Sequence, residues 1–92
     1  MIIRIMSEGQ YDVPDDDLAA LNVLDSEVES AVLAGDADAF TACFAQLLDR
    51  VRNTGSAVAV DDLVDSDLVL PPPDASVQEV AALLGDEGLI PG

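Results

Sequence analysis

Positive charge is scarce in this chain. Lysine and histidine are absent, and three arginines stand against 19 aspartates and glutamates in 92 residues, giving a formal net charge of -16. Such a chain cannot neutralise a row of phosphates, so nucleic acid is excluded as a partner, and an anionic membrane surface would repel it. Without histidine, the chain also lacks the side chain that most often transfers protons near pH 7.

Cysteine, aromatic residues and long apolar runs are also rare. The single cysteine, Cys43, allows no disulfide within the chain, so nothing in the sequence requires an oxidising compartment. Residues 1–6 are too short an apolar segment for a signal peptide, and no stretch approaches the roughly 20 apolar residues of a membrane span. We therefore expect a cytoplasmic protein that does not insert directly into a membrane.

Half of the residues are apolar, which is typical of a globular protein, and the length suits one domain over residues 1–92. Residues 2–6 and 10–13 predict two strands of a β-hairpin, with Gly9 free to adopt a positive φ in the turn. Residues 67–70 predict a short third strand that joins this sheet, and residues 57–60 are a weaker strand candidate.

Leucine, valine and alanine recur at helical spacing over residues 16–34, with Gly35 as the expected end of this first helix. The run of Asp15, Asp16 and Asp17 predicts its N-cap and first turn. Asp25, Glu27 and Glu29 are expected mainly outside its apolar stripe. Asp36 is expected to cap a second helix that ends near Gly55. The apolar face of this second helix consists of Phe40, Cys43, Phe44, Leu47, Leu48 and Val51.

The two-residue link between these helices predicts an antiparallel pair. Ser76 and Glu79 form a capping box at the start of a short helix that closes at Gly85. We therefore predict an α+β fold with an N-terminal β-hairpin, a long antiparallel helical hairpin, a short third strand joining the sheet and a short C-terminal helix.

Candidate chemistry is sparse. The aspartates of residues 15–17 are explained by helix capping, and the run of Asp61, Asp62, Asp65 and Asp67 lacks the glycine of a calcium-binding EF-hand loop. Cys43 has no histidine partner and is expected to be a buried, inert thiol. We therefore predict no catalytic residue, no cofactor and no metal site. A binder of divalent cations or small ligands that uses residues 61–67 remains an alternative.

Arg4 is the one cation outside the second helix, and it lies within an apolar strand. We expect it to pair with an internal carboxylate, for instance one of residues 65–67, and the alternative is a ligand role on an exposed binding face. If such a pair is buried, removing either partner would strongly destabilise the fold.

Four segments of the sequence resemble the PspA-associated protein family (PspAA). They are residues 1–11 (MIIRIMSEGQY), residues 21–25 (LNVLD), residues 66–71 (SDLVLP) and the ending at residues 84–92 (LGDEGLIPG). The resemblance spans essentially the whole chain in order. These segments carry no catalytic signature, so they indicate a family and not a reaction.

The resemblance implies a partner, because members of this family are associated with PspA, a long coiled-coil protein that assembles on stressed membranes in the phage-shock response. It implies a small, non-enzymatic accessory protein of the cytoplasm that reaches the inner face of the membrane through PspA. The alternative is a stand-alone structural or oligomerising acidic domain of a halophile. Self-association as a homodimer is also open.

Three surfaces are candidates for binding such a partner. The edge of the first hairpin, with Arg4, Glu8, Gln10 and Tyr11, could accept an added strand. The helical hairpin could lie against a coiled coil. The tail at residues 88–92, with Leu89 and Ile90, is the third candidate.

The acidic residues have two explanations, a salt-adapted surface or a basic partner. Because they are spread along the chain and lysine is absent, we predict a salt-adapted protein. In molar potassium chloride the Debye length is about 3 Å, so repulsion between surface carboxylates is screened and the midpoint of thermal unfolding should rise. Calorimetry across a series of salt concentrations measures this. Equal stability in dilute buffer and in molar salt would contradict salt adaptation.

Overall fold

The chain begins with the predicted β-hairpin, in a computed structural model that describes residues 1–59 and 64–83. Strand β1 (Ile2–Ile5) pairs antiparallel with β2 (Gly9–Asp12). Gly9 has a positive φ of 139°, as expected, and Ser7 lies in the left-handed region with a φ of 71°. The turn therefore lies one residue earlier than the sequence indicates, so Met6 belongs to the turn and Gly9 to the second strand.

Two further strands complete a sheet in the order β3-β2-β1-β4. Strand β3 (Ser56–Ala57) pairs antiparallel with β2, and β4 (Leu68–Leu70) pairs parallel with β1. The predicted third strand thus joins the sheet beside β1. Register places Ile3 and Ile5 opposite Leu68 and Leu70, so these residues share the face that packs against the helices.

Helix α1 (Leu18–Ala34) follows a 3-10 turn (Asp15–Asp17) and ends at Gly35, as predicted. Gly35 has a φ of 68°, and its N–H donates to the Val32 carbonyl at 3.1 Å, while the Asp36 N–H donates to the Ala31 carbonyl at 3.0 Å. These two bonds form a Schellman motif. The start of α1 differs from the prediction, because neither Pro14 nor Asp17 makes a side-chain capping bond.

Helix α2 (Ala37–Thr54) begins directly after this motif. Asp36 Oδ1 accepts a hydrogen bond of 3.1 Å from the Ala39 N–H, which confirms the predicted cap. Helix α3 (Val77–Leu83) begins with the predicted Ser76 cap, whose Oγ accepts from the Glu79 N–H at 3.1 Å. The Glu79 carboxylate reaches back to this cap by accepting from the Ser76 hydroxyl at 3.3 Å. The expected end of α3 at Gly85 and the tail lie outside the described residues.

The core lies between the sheet and the helices. It joins Ile3, Ile5 and Leu70 of the sheet to Val80 of α3 and to the buried faces of both long helices. The rings of Phe40 and Phe44 stack with centroids 5.3 Å apart. The buried residues of α2 are Phe40, Phe44, Leu47, Leu48 and Val51, as the spacing predicts.

Asp25 corrects the predicted polar face of α1. Its side chain is only 4 % exposed, because it lies four residues after Leu21 and three before Val28, within the same buried stripe. Glu27 is exposed as expected, and Glu29 is half-buried.

The junction between α2 and β3 leaves no room for a side chain at Gly55. A Cβ there would lie 2.7 Å from the Val51 carbonyl oxygen and 3.0 Å from atoms of Tyr11 and Val13. We predict that Gly55→Ala lowers the free energy of unfolding by roughly 1–3 kcal/mol, because backbone and β2 must move apart. Chemical denaturation measures the change.

The matched control is Asn53→Ala, at an exposed position two residues earlier. It should change the free energy of unfolding by less than about 0.5 kcal/mol. If Gly55→Ala matched this control, the close packing at the junction would be disproved.

Candidate interaction surface

Four residues expected to bind a partner line one shallow cavity beside β2. Arg4, Glu8, Gln10 and Tyr11 border a volume of about 360 Å³. The hairpin brings them together, since Arg4 lies opposite Gln10 in the sheet and Glu8 lies in the turn before β2. The other two candidates, Leu89 and Ile90, lie outside the described residues. A binding role for any of these six residues stays a prediction.

Glu8 and Tyr11 are already engaged within the molecule. Arg52 donates from Nε and Nη2 to the two carboxylate oxygens of Glu8, at 2.7 and 2.6 Å. The Tyr11 hydroxyl donates to Glu8 Oε2 at 2.7 Å, and Arg52 Nη1 donates to Asp49 Oδ1 at 2.8 Å. This network ties the turn of the β-hairpin to the last turns of α2.

Hydrogen bonds from Arg52 and then Tyr11 favour the ionised form of Glu8 and lower its pKa from 4.5 to about 2. The bond to Glu8 raises the pKa values of Tyr11 and Arg52. Because the pKa of Glu8 is lower in the folded state, the pair stabilises the fold fully above pH 4.5, and this stabilisation is lost as pH falls towards 2. The side chains of Arg52 and Glu8 are 31 % and 26 % exposed, so solvent screening limits it to roughly 1 kcal/mol.

Arg50 makes a second tether at the same end of α2. Its Nε donates to the two carboxylate oxygens of Asp17 at 3.1 and 3.0 Å, and its Nη2 also donates to Oδ1. The Thr54 hydroxyl donates to Asp17 Oδ2 at 3.1 Å. The bond with Arg50 lowers the pKa of Asp17 and raises that of the guanidinium. Asp17 therefore holds the start of α1 against the end of α2 and is not a helix cap.

The expected pairing of Arg4 with residues 65–67 is wrong. Arg4 is exposed, and no ion pair joins it to any residue in ranges 1–59 and 64–83. Asp67 Oδ2 instead accepts a bond of 2.8 Å from the Ile2 N–H. The alternation of β1 turns Arg4 to the face of the sheet that lies away from the helices, so its side chain is exposed to solvent and not buried beside a carboxylate. Gln10 has partners there, since its Nε2 donates to Ser66 Oγ at 2.7 Å.

The hairpin does not form the edge of the sheet, contrary to the expectation for strand addition. Strand β1 lies between β2 and β4, and β2 lies between β1 and β3. The outermost strands among the described residues are β3 and β4. A partner that added a strand would therefore pair with one of these two strands.

The helical hairpin has an apolar groove on the side away from the sheet. The groove has a volume of about 600 Å³ between α1 and α2, and its wall includes Val23 and Ser30 of α1 and Ala39 and Cys43 of α2. Val23 is 61 % exposed. Cys43 is half-buried in this wall and packs against the core, so the thiol that was expected to be buried is only partly so. The signal in the sequence was that α1 carries small or apolar residues on both of its faces.

The aspartates do not assemble a metal site in the described part of the chain, where no three potential ligand side chains come together. Asp15 contacts the N-terminal ammonium at 3.2 Å, and Asp17 contacts Arg50. Asp61 and Asp62, which belong to the cation-binding alternative, lie outside the described residues. No helix in ranges 1–59 and 64–83 has the length and apolar character needed to cross a membrane.

One protein family matches the whole chain. The family model PspAA, described as PspA-Associated protein, covers residues 1–92. The chain belongs to this family. No curated protein and no solved structure shows a significant match.

Membership in the PspAA family confirms the resemblance carried by the four sequence segments. The family description names an association with PspA and no reaction, which suggests an accessory protein and not an enzyme. It identifies no residue as a binding site, so the surface for PspA has to be argued from the geometry above.

Arg52 and Arg4 now have different expected roles, which a pair of substitutions separates. We predict that Arg52→Ala lowers the midpoint of thermal unfolding by roughly 5 °C, because about 1 kcal/mol of pairing with Glu8 is lost. Arg4→Ala removes the same charge from an exposed site and should leave the midpoint within about 1–2 °C of the unsubstituted protein. Calorimetry at constant salt compares the two variants. If Arg4→Ala lowered the midpoint of thermal unfolding by more than Arg52→Ala does, Arg4 would have a structural role.

Proposed function

We propose that this protein is a small, non-enzymatic accessory protein that binds a PspA-like coiled-coil protein of the membrane-stress system. The observation that carries this proposal is the PspAA family match over all 92 residues. The family description supplies the association with PspA, and the proposal extends it to direct binding by this chain.

The polar side chains of the described fold mostly stabilise the fold itself, which is consistent with a protein that presents a surface to a partner. Arg50 and Arg52 are held by Asp17 and Glu8, and Gln10 is held by Ser66, so these groups serve the fold. The apolar groove between α1 and α2, in contrast, faces solvent within the described part of the chain. An exposed apolar surface on a small acidic protein is typical of an interaction site.

The net charge supports indirect recruitment to the membrane. With a formal charge of -16, the protein is repelled by anionic lipid, so a position at the inner membrane face requires a protein that itself binds lipid. We propose that the protein resides in the cytoplasm and reaches the membrane through PspA.

Co-purification from a native lysate tests this proposal. The bait should be tagged PspA and the chain left untagged, because an N-terminal tag would disturb the Met1 ammonium, which donates to the Val13 carbonyl at 2.8 Å. We expect this protein to elute with PspA in molar potassium chloride. The same purification with an unrelated tagged protein as the bait is the control for nonspecific retention of this chain.

A second arm uses purified PspA and the purified full chain, so that no bridging protein is present. Direct binding in this arm supports the proposal. Absence of this protein from the PspA eluate and absence of direct binding would together contradict it.

A further inference from the structure

Helix α1 carries a second stripe of small or apolar residues on its solvent side. Its members are separated by four and three residues in turn, which is the spacing of a coiled-coil seam. They are Ala19, Val23, Ser26, Ser30 and Leu33. None is charged, and Val23 and Leu33 are 61 % and 79 % exposed. The stripe spans about 21 Å along the helix, or roughly four turns.

A groove beside this stripe lies between α1 and α2. Ala34 of α1 and Ala39 and Cys43 of α2 form its wall, with Ser30 between them, around a volume of about 600 Å³. Small side chains on both walls let the backbone of an incoming helix approach closely. A helix in this position would pack against α1 and α2 as a third member of the bundle.

The charges around the groove indicate which helix fits. The two ionisable carboxylates in its wall belong to Glu27 and Asp36, and the wall contains no arginine. Arg50 follows Cys43 by seven residues on the same side of α2, and its guanidinium is bound by Asp17. An occupant therefore has to supply its own cations opposite Glu27 and Asp36.

These charges argue against a second copy of this chain as the occupant. A second copy would bring further carboxylates over Glu27 and Asp36, and carboxylates that lose water without gaining a cation are costly. The chain has only three arginines, of which two are held by Glu8 and Asp17 and the third, Arg4, lies on the outer face of the sheet.

We propose that the α1–α2 groove binds one helix of a partner protein, whose narrow apolar seam is flanked by lysine or arginine. This inference rests on the function proposed above, under which the helix belongs to PspA. The seam packs on the stripe of α1, and a basic residue beside the seam pairs with Glu27.

Two substitutions in the full chain test this proposal, with purified PspA as the probe. Ser30→Trp fills the groove at an exposed position, and Glu27→Arg reverses its charge. We expect Ser30→Trp to weaken the affinity for PspA by about 10-fold or more in molar potassium chloride, measured by calorimetry. Because molar salt screens surface charges, Glu27→Arg is compared at the lowest salt concentration at which the chain remains folded, and there we expect a loss of about 10-fold or more. Circular dichroism and thermal unfolding check that both variants remain folded.

Matched controls change the same properties elsewhere on the molecule. Ala45→Trp adds the same ring on an exposed position of α2 outside the groove, and Asp65→Arg makes the same change of charge in the exposed segment before β4. Both should bind PspA within about 2-fold of the unsubstituted chain.

A photo-crosslinking amino acid placed at Ser30 identifies the occupant directly. Crosslinks to a PspA helix with flanking basic residues support the proposal. Crosslinks to a second copy of this chain, or to residues 84–92 of the same chain, overturn it, as would unchanged affinity in both groove variants. If those variants bind normally, the proposed function stands and the groove is the wrong surface. If the unsubstituted chain does not bind PspA, both proposals are wrong.

Discussion

The end of α2 is the point through which the other elements are held. Arg52 binds Glu8 in the turn of the β-hairpin, and Arg50 binds Asp17 at the start of α1. Beneath them, Leu47 and Val51 are fully buried in the core shared by the sheet and the helices. Polar tethers at the surface and apolar contacts below thus converge on the same turns of one helix. The position of the sheet relative to the helical hairpin depends on this convergence.

The arginines show how a highly acidic chain uses few cations. Each tether combines a guanidinium with a carboxylate through two or more hydrogen bonds, and a hydroxyl from Tyr11 or Thr54 adds another. Bidentate geometry makes such pairs less dependent on long-range Coulomb attraction, which salt screens.

Local signals in the sequence predicted local structure well. Gly35 ends α1, Asp36 caps α2, and Ser76 with Glu79 starts α3, because each of these signals acts within a few residues of chain. Contacts between distant residues were not predictable in this way. The partners of Arg50 and Arg52 lie 33 and 44 residues away, and the sequence offers 19 acids among which to choose. Asp25 was misplaced because a polar residue can occupy a buried helical stripe.

The candidate interaction surface was likewise predictable where it depends on local sequence and not where it depends on distant contacts. Arg4, Glu8, Gln10 and Tyr11 were grouped correctly by the hairpin, but their hydrogen bonds and the pairing of β4 beside β1 depend on the whole fold. The groove between α1 and α2 could have been expected from the two faces of α1. The sequence indicated the helical hairpin as a surface for a coiled coil but did not locate the groove on it, because the first apolar stripe already explained why the segment is helical.

The parallel pairing of β1 with β4 has a consequence for synthesis. Ile3 and Ile5 leave the ribosome long before Leu68 and Leu70, the residues beside which they lie in the sheet. During translation, one edge of this isoleucine-rich strand therefore has no pairing partner until the last quarter of the chain has been synthesised. The many carboxylates made in the interval keep the nascent chain hydrated and soluble. The acidic residues, which repel one another in the folded protein, thus help to keep the chain soluble before the sheet is complete.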